Sequence, residues 1–127
     1  MPPVLSFTVA GSGPPVVILH GLFGSAVNWR RIADALCHRW QVFSPDLPNH
    51  GDSPWTDDMS YPAQTKVLAS FISDHVPDNP IIIGHSMGGK VAMALALEGG
   101  TPLAGLVVVD IAPVTYPHSH RTLVESM

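Results

Sequence analysis

Three short runs in this chain are apolar without interruption: VVIL at residues 16–19, III at 81–83 and LVVV at 106–109. A strand with one face in water alternates apolar and polar side chains, whereas a strand covered on both faces does not. The runs are short and rich in β-branched residues, so they read as strands inside a layered fold. Residues 5–9 and 40–44 add two strand candidates, the first separated from 16–19 by the turn-rich AGSGPP. Between the later strands, residues 28–39 carry apolar side chains at helical spacing and residues 61–75 do so more weakly. Residues 87–98 are apolar nearly all round, with Ala92, Ala94 and Ala96 among Val91, Met93, Leu95 and Leu97, which predicts a buried helix. Strands alternating with helices, joined by right-handed crossovers, predict an α/β fold with a doubly wound, mostly parallel sheet.

Composition narrows the function classes. At 127 residues the chain is of single-domain size, and 46% hydrophobic against 13% charged residues describes buried segments rather than a disordered tract. No apolar run approaches the roughly 20 residues of a membrane-spanning helix. The start, MPPVLSFTVAGSG, lacks the basic region and longer apolar stretch of a signal peptide, so a cytoplasmic location is expected. The formal net charge is −4 and only Arg30 and Arg31 are adjacent among the six basic residues, which argues against nucleic acid as a partner. The single cysteine, Cys37, rules out an internal disulfide and reads as a small buried apolar residue in NWRRIADALCHRW. The seven histidines are dispersed, with only His118 and His120 close together, which is not the spacing of a metal site.

In open parallel sheets ligands bind beyond the carboxyl ends of the strands, so the residues after each apolar run matter most. VVIL leads to His20, Gly21 and Leu22, residues 40–44 to Asp46, III to Gly84, His85 and Ser86, and LVVV to Asp110. GHSMG at residues 84–88 fits G-x-S-x-G, in which a sharp strand-to-helix turn exposes a serine oxygen. Such a match arises by chance in roughly 4% of chains this long, so the context has to carry it. Here a β-branched run ends just before the motif and an apolar helix starts just after. Ser86 is therefore the candidate nucleophile, with Gly84 and Gly88 preventing collisions across the turn and Gly89 letting the helix approach the sheet. Acyl transfer places negative charge on a carbonyl oxygen, which two backbone N–H groups commonly stabilise. Met87 supplies one, at a helix N-terminus; Leu22 in HGLFGS is the expected second, with Phe23 its neighbouring alternative. His20 and His85 are expected to line the pocket floor.

HGLFGS, DLPNHGDSP, GHSMGGKVAM and VVVDIAPVTY, in this order and at these intervals, resemble the α/β-hydrolase superfamily, and within it the small serine esterases of the YbfF type and the ABHD11-like proteins. The resemblance extends over essentially the whole chain. It implies hydrolysis of small carboxylic esters or thioesters through a Ser, His and acid triad, without metal or organic cofactor. Pro48 departs from the pattern, where arginine is common, and bears on loop geometry and local substrate contacts rather than on the serine. Other chemistry of the same fold, C–C bond hydrolysis or acyl transfer, and a non-catalytic binding module are the alternatives.

Asp110 is the candidate acid, with a structural hydrogen-bonding role as its alternative. A Ser–His–Asp relay separates serine and carboxylate oxygens by roughly 7 Å, a range that adjacent strands about 4.8 Å apart can present at their ends. In the resembling esterases an aspartate at this point can serve as the triad acid. Asp46 and Asp52 read as loop-ordering residues, since aspartates bond their own backbone in turns. In this fold the base follows the acid in sequence. His118 and His120 sit in a proline-flanked connection resembling the entry to a lid, so the base is expected beyond residue 127. Residues 1–113 then read as the N-terminal part of a hydrolase core lacking its C-terminal strands, and 114–127 as the start of a lid, with Ser119 a possible helix cap. The 127-residue polypeptide alone is accordingly expected to lack esterase activity. Incubation with a short-chain aryl ester checks this, and turnover that Ser86→Ala abolishes would refute it.

Overall fold

The computed structural model describes residues 4–21, 29–48, 53 and 60–109. Within them lie five strands and three helices: β1 (Phe7–Ala10), β2 (Pro15–Leu19), α1 (Arg30–Leu36), β3 (Gln41–Pro45), α2 (Tyr61–His75), β4 (Ile81–His85), α3 (Met87–Glu98) and β5 (Gly105–Val109). The strands form one sheet in the order β1-β3-β2-β4-β5. β2 runs parallel to both β3 and β4, and β4 parallel to β5, while β1 is antiparallel to β3. This is the mostly parallel, doubly wound arrangement expected from the apolar runs.

β2 is central and buried along its whole length, and its continuous apolar run follows from two separate cores. Side chains alternate across a strand. Val16 and Ile18 therefore pack with Ala33 of α1 and Val42 of β3 on one face. Val17 and Leu19 pack on the other with Leu68, Phe71, Val91 and Leu95 from α2 and α3. Burying a Leu or Phe side chain of this kind contributes about 1.5–3 kcal/mol.

α2 keeps its predicted bounds because its ends are well specified. Ser60 caps it by accepting the Ala63 N–H at 3.3 Å, and a proline occupies its first turn. α1 is shorter than residues 28–39. After Leu36 the chain turns toward β3, with the N–H groups of Arg39 and Trp40 both directed at the Leu36 carbonyl. Cys37 lies in that turn, half-buried, where its thiol donates to the Asp34 carbonyl at 3.2 Å.

Two burial expectations need correction. α3 buries one face through Val91, Ala92 and Leu95, whereas Leu97 is 88% exposed. An apolar composition all round says nothing about how many faces a helix has neighbours on. Similarly, β5 is not covered along its length: Leu106 and Val107 are exposed. Among the described strands it stands at the edge of the sheet, with β4 on one side. No helix among the described residues is long and apolar enough to cross a membrane. The predicted lid segment at 114–127 and the end of the predicted core at 110–113 lie outside the described residues.

An apolar edge strand offers unpaired backbone groups to other chains. The isolated 127-residue polypeptide is expected to self-associate in size-exclusion chromatography, and Val107→Lys to move it toward the monomer. A wild-type chain that elutes as a monomer at every concentration would contradict this.

Candidate active site

The chain leaves β2 for β3 on one side and later enters β4 on the other, so the sheet reverses its winding around β2. A crevice forms at such a switch, beyond the carboxyl ends of the strands. Leu19 is in register with Gly84, which sets His20 and Gly21 beside His85 and Ser86. The two backbones are in close approach. A Cβ on Gly88 would lie 2.5 Å from the His20 carbonyl oxygen and 2.6 Å from that of Leu19. A Cβ on Gly84 would lie 2.6 Å from Gly89 Cα. Only glycine fits where α3 rises over the ends of β2 and β4.

Ser86 is the single residue of the turn between β4 and α3. Its φ of 53° and ψ of −114° make it the one non-glycine residue with positive φ among those described. Such a conformation costs about 1–3 kcal/mol and persists only where its surroundings enforce it. The enforcement is visible on both sides of the residue. Its N–H donates to the Val109 carbonyl at 2.9 Å, and its carbonyl accepts the Lys90 N–H at 3.0 Å, the first hydrogen bond of α3. The Ser86 side chain makes no capping bond to the helix. Met87, the first helical residue, is buried, and its backbone N–H has no acceptor within the helix because the first turn never does. With the helix dipole behind it, that end favours negative charge.

Of the predicted site residues, Ser86 and Met87 therefore stand together at the start of α3. Leu22 and Asp110 lie outside the described residues, as do Phe23, His50, Asp52, His118 and His120. Val109, which precedes Asp110, is in register with His85 and bonds the Ser86 N–H. β5 is thus the neighbour of the strand that carries the serine, as expected.

One histidine is placed differently from the sequence reading. His20 does not line an open pocket floor: it is 1% exposed. Its Nε2 accepts the Leu47 N–H at 2.8 Å, and its Nδ1 lies 2.8 Å from the Gly21 carbonyl. An N–H can only donate, so Nε2 is unprotonated, and the ring is the neutral tautomer with its proton on Nδ1 directed to Gly21. His85 is half-buried, its ring 5.4 Å from that of Trp29 and lying against Gly21, 2.8 Å from where a Cβ would stand. His75 ends α2 in contact with Phe7 and Phe71, and His38 follows α1 on the surface. Ser53, a residue the motifs did not single out, ties Asp46 to Ser6. Its buried hydroxyl donates to the Asp46 carbonyl and accepts the Ser6 N–H, while the Asp46 N–H donates to the Ser6 carbonyl. Among the described residues no group of three or more His, Cys, Asp or Glu side chains converges as metal ligands do.

Known proteins resemble this chain in sequence and fold. The family described as alpha/beta hydrolase fold matches residues 14–127. The sn-1-specific diacylglycerol lipase ABHD11 of Mus musculus is 46% identical over 110 residues, which cover 84% of this chain and 36% of the relative. Esterase YbfF of Escherichia coli (strain K12) is 41% identical over 102 residues, 80% of this chain and 40% of the relative. The structure of a marine microorganism esterase superposes with a TM-score of 0.83 at 43% identity, covering 94% of this chain and 48% of that one. The chain spans less than half the length of each.

Strain at Ser86 has a measurable signature. Glycine accepts the observed φ and ψ freely, whereas alanine does not. In the full-length protein Ser86→Gly is expected to be more stable than Ser86→Ala by about 1 kcal/mol or more. Chemical denaturation of the two variants checks it; equal midpoints would mean that the turn carries no strain.

Proposed function

The chain belongs to the alpha/beta hydrolase family, and on that premise we propose that it carries the nucleophile and oxyanion-binding part of a serine hydrolase for small acyl esters or thioesters. Ser86 attacks the acyl carbonyl, and the charge that develops on the carbonyl oxygen is held by the N–H groups of Met87 and Leu22. Asp110 orients a histidine that takes the serine proton and returns it to the leaving alcohol or thiol. That histidine is not among the described residues. His20 is unsuited to the task, because the nitrogen that would accept a proton already accepts the Leu47 N–H.

The observation that carries this reading is the positive-φ turn of Ser86, retained at the junction of β4 and α3. Strain of this kind is kept where it aims a side chain at a ligand, and here the turn also sets the serine at a helix N-terminus. The bond from Ser86 N–H to Val109 supports Asp110 as the acid, since it joins the turn to the residue before that aspartate. The names of the relatives, a diacylglycerol lipase and two esterases, support ester cleavage as the reaction. Each oxyanion donor of this type accounts for about 10²–10³ in kcat.

Two measurements on the full-length protein test the proposal. A serine-directed phosphonate is expected to label Ser86, located by peptide mass spectrometry. Ser86→Ala is expected to lower kcat on a short-chain aryl ester by about 10⁴-fold or more. Hydrolysis that survives this substitution would place the nucleophile elsewhere.

A further inference from the structure

The described charges are divided unevenly between the two faces of the sheet. Among the described residues α1 covers the face of Val16, Ile18 and Val42, and α2 and α3 cover the other. Arg30 and Arg31 open α1, and Arg39 lies in the turn that follows it, so three of the six basic residues of the chain share one element. Asp34 is the one acidic residue there, which leaves the element positive in a chain of net charge −4. On the opposite face Lys66 and Lys90 are balanced by Asp74 and Glu98. All three arginines are exposed, and among the described residues none of them has an ion-pair partner. α1 is seven residues long, about 10 Å, so the three guanidinium groups form one patch. The backbone of Arg39 is held from the turn between β1 and β2: Gly13 has a φ of 125°, and a Cβ there would collide with the Arg39 carbonyl oxygen.

Between the charges this surface is apolar. Ile32 is 42% exposed, Ala35 is exposed, and the half-buried Trp29 and Trp40 stand at the two ends of the patch. Arginine mixed with tryptophan and aliphatic side chains suits the headgroup layer of a bilayer, where guanidinium groups meet phosphates and indole rings sit at the acyl boundary. We propose that the outer face of α1 is a docking surface for an anionic membrane. Ala33 and Leu36 face the core, so α1 has no full apolar face to insert, and the contact rests mainly on charge. α1 runs antiparallel to β2 and β3, which sets its Arg30 end at the carboxyl ends of the strands. There the Trp29 ring is 5.4 Å from that of His85, the residue before Ser86. A bilayer held by α1 therefore lies beside the serine turn, where acyl esters dissolved in lipid are close at hand. The docking itself does not depend on the reading of Ser86 as a nucleophile.

The experiment floats the full-length protein with vesicles of equal parts phosphatidylcholine and phosphatidylglycerol, and with vesicles of phosphatidylcholine alone. The buffer holds about 0.1 M salt, in which exposed charges interact over roughly 10 Å. The wild type is expected to partition onto the anionic vesicles about tenfold or more better than onto the neutral ones, and to be released by about 1 M salt. Combining Arg30→Gln, Arg31→Gln and Arg39→Gln is expected to lower the partition coefficient about fivefold per arginine, about 10²-fold in all. Lysine at the same three positions keeps the charge and is expected to keep the binding, which a merely structural role of the guanidinium groups would not. Lys66→Gln with Lys90→Gln removes charge from the opposite face and is expected to stay within about threefold of the wild type. Equal binding to neutral vesicles, an unchanged partition coefficient in the glutamine variant, or an equal loss in the Lys66→Gln, Lys90→Gln variant would overturn the proposal. Failure of the wild type to float, with retention on immobilised polyglutamate, would overturn it as well and give this face to an acidic protein.

Discussion

Parallel pairing sets Leu19 of β2 opposite Gly84 of β4, and every later feature of the site depends on that register. It brings the chain leaving β2 and the chain entering α3 to one edge of the sheet, within contact of each other's backbone. A shift by one residue would turn Val17 and Leu19 away from the core they share with α2 and α3. The same apolar packing that stabilises the sheet therefore places the residues of the site.

The strain at Ser86 is affordable on this scale. Its cost, about 1–3 kcal/mol, is comparable to what one buried Leu or Phe contributes. Leu19, Val91, Ala92, Leu95 and Met87 are all buried around the start of α3 and the ends of β2 and β4. Hydrogen bonds to the Val109 carbonyl and from the Lys90 N–H hold the turn from two further directions. Relaxing the serine would disturb several of these contacts at once, so the strained state is the lower one.

Much of the fold was legible because its signals are local. The strands 16–19, 81–83 and 106–109 were read from continuous apolar runs, and the bounds of α2 and α3 from helical spacing, since these patterns reflect what each residue faces. The burial of α3 and β5 was not legible. Met93, Leu97, Leu106 and Val107 are as apolar as their buried neighbours, and only the packing of α3 on the sheet by one face and the place of β5 at the edge of the described strands leave them exposed. Of the candidate site, Ser86 and Met87 were marked by the glycines around them. The burial of His20 was not legible, because its partner Leu47 is distant in sequence and donates through its backbone, which leaves no trace in side-chain identity.

The sequence by itself determined the layered α/β architecture, the order of strands and helices, and a glycine-flanked serine between a strand and a helix. These rest on periodicity and on backbone sterics, which act over a few residues. The tertiary structure decided the strand order around β2, the positive φ of Ser86, and the burial and tautomer of His20. Each of these depends on hydrogen bonds between segments that meet only when the sheet forms.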